Sequence, residues 1–97
     1  MSRSLLERRL TDGADRLKRL HHELVVADEQ LAHFADGADD ARMRALVSET
    51  PLAEQEHREA QKHADAMARH RADLLAEIAD IERSQDDLLD RLSAQRT

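Results

Sequence analysis

Leu10, Leu17, Leu24 and Leu31 recur at every seventh position, with Leu6, Leu20, Ala27 and Phe34 interleaved between them. Apolar positions alternately three and four apart predict a helix that buries one narrow seam against another helix. The same phase takes in Gly13 and runs on through Ala38, Ala41 and Ala45, so the pattern predicts one helix over about residues 3–47, crossing both glycines. A glycine inside a helix costs about 1 kcal/mol relative to alanine. Leu6 and Leu10 hold the phase around Gly13, which therefore predicts a distortion and not a break. Gly37 is the weaker point, because only alanines follow it in the seam.

Ser48-Glu49-Thr50-Pro51 interrupts the pattern. Proline is tolerated in the first helical turn, where its missing N–H has no helical partner, and a threonine before it can cap the exposed amides. A turn over 48–50 and a second helix over about 51–94 follow. The second seam is Ala53, His57, Ala60, Ala64, Met67, Arg71, Leu74, Ile78, Ile81, Gln85, Leu88 and Leu92, again in unbroken heptad phase.

Folding back at Glu49 pairs positions whose numbers add to 98, and each seam residue of one helix then meets a seam residue of the other. Leu6 faces Leu92, Leu10 faces Leu88, Leu20 faces Ile78 and Leu24 faces Leu74. Where one partner is large or polar the other is small, as in Gly13 with Gln85, Ala27 with Arg71, Phe34 with Ala64 and Ala41 with His57. Close packing requires such size matching. A register shifted by seven would keep the phase, so the turn and the size matching select the pairing. The expected architecture is all-α, an antiparallel two-helix coiled-coil hairpin forming a single unit over residues 1–97. Charges within each helix support it, since Asp12/Arg16, Asp15/Arg19, Asp40/Arg44, Glu54/Arg58, Asp65/Arg69 and Asp87/Arg91 place an acid four residues before a base. Across the helices, Arg42 with Glu54 and Arg44 with Glu56 attract, whereas Glu23 with Glu77 and Arg9 with Arg91 repel.

Composition narrows what such a chain does. Of 97 residues 37% are charged and a single one is aromatic, which leaves long helices with one apolar stripe or a disordered polar segment. The scarcity of glycine, proline and β-branched residues selects helix. A net charge of −6 disfavours nucleic acid and anionic lipid. Arg3, Arg8 and Arg9 precede the leucines without forming the long basic helix of a basic-region zipper. The chain has no cysteine, so disulfides and thiolate chemistry are excluded. No run is long and apolar enough to span a membrane, and the first residues lack the apolar core of a signal peptide; the expected location is cytoplasmic. With two isolated glycines there is no phosphate-binding loop, and no nucleophile elbow occurs. The chain is expected not to be an enzyme and to need no cofactor.

Three sets of residues carry what function the sequence offers. Leu46, Val47, Glu49 and Leu52 surround the turn and form a candidate protein contact, or else Val47 and Leu52 close the hairpin as a hydrophobic staple. Leu5, Val25, Val26, Leu75 and Leu89 lie outside the seam and predict self-association of two copies into a four-helix bundle. Glu54 and His57, in a Glu-x-x-His, have the spacing of a ligand pair in di-iron carboxylate bundles, although one chain holds only half of such a set. Gln85 and Arg71 break the apolar stripe and are read as setting register.

In gross architecture a hairpin of this kind resembles the bacterial transcription factors that reach into RNA polymerase with an acidic coiled-coil tip; here Glu49 is the sole acid at the immediate turn. It also resembles the roughly hundred-residue helical-hairpin secretion substrates. Those carry Trp-x-Gly at the turn, whereas Phe34-Ala35-Asp36-Gly37 departs from that motif and lies elsewhere. The leading expectation is a non-catalytic adaptor or regulatory subunit that dimerises and binds a larger protein. The alternatives are a metal-binding bundle at Glu54 and His57, or a regulator acting on RNA polymerase through the turn.

Overall fold

A computed structural model describes residues 1–96. The chain is all-α, with α1 at Arg3–Ser48 and α2 at Pro51–Ala94, packed antiparallel as a hairpin. Among the described residues no helix is long and apolar enough to cross a membrane.

Local chemistry explains where each helix starts and stops. Ser2 caps α1, accepting a hydrogen bond at Oγ from the Leu5 N–H at 3.1 Å. Both glycines lie within α1 and neither has a positive φ, so the helix continues through them. It ends where Glu49 adopts φ 52°, the left-handed conformation that non-glycine residues enter at a cost. Thr50 then caps α2, its Oγ1 accepting the Ala53 N–H at 3.2 Å, and Pro51 occupies the first helical position. Reversal of the chain thus needs only the two residues between the helices.

Every seam position named from the sequence is buried or half-buried. Off the seam, among the described residues, only Leu5, Arg16, Glu77 and Ala79 are even half-buried. The stripe is therefore narrow, and the remaining surface of both helices faces water.

The residues form two compact units. In the first, residues 1–24 pack with 74–96, and the buried side chains are Leu6, Leu20, Leu74, Ile78 and Leu88, of which Leu6 and Leu20 are fully buried. Leu10, Leu17, Leu24, Ile81 and Leu92 are half-buried around them. Gln85 is the seam's polar member, and its Nε2 donates to the Leu10 carbonyl at 2.9 Å. It occupies the space left by Gly13, where an added Cβ would lie 2.6 Å from the Gln85 Cδ.

The second unit is residues 25–73. Its buried side chains are all alanines, at 27, 38, 41, 45 and 64. The large members of this seam, Leu31, Phe34 and Met67, are only half-buried. Fully burying a leucine-sized side chain contributes about 1.5–3 kcal/mol, and an alanine contributes much less, so the two units are held by unequal hydrophobic stabilisation. We refer to them as the leucine unit and the alanine unit.

Cross-helix contacts fix the register within each unit. The numbers of Gly13 and Gln85 in the first, and of Phe34 with His63 and Asp28 with Arg71 in the second, add to within one of 98. A seven-residue slip is excluded.

The charge pairing departs from the sequence expectation. Of the acid-before-base pairs, Glu54/Arg58 and Asp87/Arg91 form, at 4.0 and 3.3 Å. Arg16 turns instead across the seam to Glu77, with its Nη2 2.6 Å and its Nε 3.2 Å from one carboxylate oxygen. That hydrogen bond, with the attraction of Glu77 and a smaller one from Glu23, raises the Arg16 pKa above its ordinary value. The same guanidinium is attracted to both Glu23 and Glu77, the pair expected to repel each other. Among the described residues Arg42 and Arg44 form no salt bridge, so the expected attraction to Glu54 and Glu56 does not become an ion pair. Exposed long side chains gain too little from pairing to be held in one geometry.

Candidate interaction site at the turn

The two-residue connector forces the last turn of α1 and the first of α2 to point their off-seam residues into solvent. Met43 is 52% exposed, Leu46 61%, Val47 82% and Leu52 66%. Val47 and Leu52 therefore do not close the hairpin as a staple. A staple joins the residue before the cap to the fourth helical one, and in this hairpin those positions are the acids Glu49 and Glu54. The four apolar side chains belong to one short stretch bracketing the reversal, with Glu49 among them.

Met43 escaped the sequence reading. It lies opposite the seam, three and four residues before Leu46 and Val47 on the same helix, where such spacing makes side chains neighbours. Charges of both signs lie beside Leu46, with Arg42 and Arg58 against Glu54.

Two shallow grooves run between the helices of the alanine unit. One, of about 200 Å³, is lined by Arg42, Leu46, Glu54, His57 and Arg58. Glu54 and His57 thus share a groove, but two guanidiniums border it and disfavour a cation there. Among the described residues no three His, Asp or Glu side chains are grouped to hold a metal. The other groove, of about 340 Å³, is lined by His33, Phe34, Gly37, Arg44, Glu56 and His63. His63 stacks on the Phe34 ring with centroids 5.8 Å apart, and His33 meets it edge-on at 5.6 Å.

Of the candidate self-association residues, Val25, Val26, Leu75 and Leu89 are exposed, and Leu5 is half-buried. Arg71 is half-buried in the seam and directs its guanidinium to Asp28, an accommodation that keeps the stem packed and the charge at the surface. Compared with protein-family models, curated proteins and solved structures, the chain matches none of them.

Proposed function

We propose that this chain is a non-catalytic coiled-coil interaction module that grips a larger protein through its turn. The observation supporting this reading is the exposure of Met43, Leu46, Val47 and Leu52 in one stretch of a chain whose other large apolar residues are mostly committed to the seam. Solvent-facing apolar residues scattered singly need no explanation, whereas a cluster rimmed by charge is what protein contacts are made of. A photoreactive residue at position 47 should capture one defined partner in cells. Val47→Asp with Leu52→Asp should lower affinity for that protein at least tenfold without loss of helical signal. A control Ser4→Asp change should leave it bound. Retention of the partner by the double variant would overturn the turn as the contact.

The same reading includes self-association. Val25, Val26, Leu75 and Leu89 are exposed apolar residues away from the turn, and pairing with a second copy would cover them as a four-helix bundle. Sedimentation at micromolar concentration should show twice the 11.0 kDa mass of one chain. Val25→Asp with Leu75→Asp should return it to a monomer. A monomeric parent protein would remove dimerisation from the proposal and leave the turn contact standing.

A further inference from the structure

We propose that the alanine unit opens on its own while the leucine unit stays closed, so that the hairpin is a fold with a built-in loose part. This inference is independent of what the turn binds.

Different side chains hold the two units together. In residues 1–24 and 74–96 the side chains removed from water are four leucines and an isoleucine. Polar links between described residues add to them, as from Arg16 to Glu77, Gln85 to the Leu10 carbonyl and Gln95 to the Met1 carbonyl. In residues 25–73 no large side chain is fully buried, and methyl groups of alanine fill the seam. The cross-helix links there are the exposed Arg71–Asp28 pair and the Phe34–His63 stack.

Gly37 weakens the same unit further. It carries the entropic cost of glycine in a helix, and an added Cβ would meet nothing within 4 Å, so no close packing explains it. Gly13 is different, because its missing side chain is the space that Gln85 fills. Segments with little buried apolar surface and few cross-links open at lower free energy than the molecule as a whole. Residues 25–73 meet that description and the leucine unit does not. Their opening uncovers Phe34, His57 and the alanine seam, and it frees the stretch that bears Met43, Leu46, Val47 and Leu52.

Hydrogen exchange on the full chain, read peptide by peptide under conditions where exchange reports the opening equilibrium, tests this directly. The slowest amides of residues 25–73 should exchange about 100-fold faster than the slowest of the leucine unit. The variant Gly37→Ala, which the open space accommodates, should slow exchange about fivefold in residues 25–73, and Leu88→Ala should speed exchange in the leucine unit while leaving the opening of residues 25–73 unchanged. Equal protection of the two units would overturn the proposal. So would faster exchange in the leucine unit, no effect of Gly37→Ala on residues 25–73, or a Leu88→Ala effect spread equally over both units.

Discussion

Replacing Leu20 by alanine is expected to cost about 2–5 kcal/mol and to remove most of the helical signal at ambient temperature. Leu20 has none of its surface exposed, and truncating it leaves a cavity that two helices, braced by Leu17 and Leu24 on either side, cannot close by moving together. Small domains are stable by only about 5–15 kcal/mol in total, and a seam this narrow has little to spare. Circular dichroism melts would read the effect. Leu46→Ala is the companion measurement, because Leu46 is exposed and its truncation should change stability by no more than about 0.5 kcal/mol. Equal melting of the two variants would mean that burial along the seam is not what holds the hairpin.

Gly13→Leu should be the second large effect, a loss of about 1–3 kcal/mol from overpacking. The new side chain would enter space where the Gln85 amide already lies, 2.6 Å from the position of a Cβ, and it would end the Gln85 hydrogen bond to the Leu10 carbonyl. Gln85→Ala alone should cost about 1 kcal/mol, the worth of one such bond. Combining the two exchanges the large and small sides of the layer. The double variant should then recover stability to near that of the parent, helped by removal of glycine from a helix interior. Urea titrations of the four proteins give the coupling. Additive losses would show that Gly13 and Gln85 do not share a layer, and that the register is held by other contacts.

Much of the architecture was legible because a two-helix seam writes itself into the chain in steps of three and four. Leu6 to Ala45 and Ala53 to Leu92 kept that phase, and each proved buried or half-buried. The turn was legible through Thr50 and Pro51, whose chemistry suits the start of a helix and little else. Size matching was legible where one partner was glycine, as with Gly13 and Gln85. The charges were not. Asp12 precedes Arg16 by four residues, yet Arg16 spans the seam to Glu77, because a long flexible side chain chooses among several carboxylates at nearly equal free energy. Met43 was missed for another reason: it lies opposite the seam, and its i, i+3, i+4 spacing with Leu46 and Val47 marks a second apolar face that attention to the seam passes over. The contrast of the two units was present in the letters, as leucine in one and alanine in the other. Periodicity counts both alike, and burial by volume separates them.

The connector has a consequence for molecularity. Pairing numbers that add to 98 is symmetric, so a chain whose helices ran straight through Glu49 and Thr50 could make the same contacts with a second chain lying antiparallel to it. What keeps those contacts within one polypeptide is the left-handed backbone of Glu49 together with the missing amide hydrogen of Pro51. Whether these arms embrace each other or exchange between copies is thus decided at three adjacent residues, remote from most of the surface that benefits.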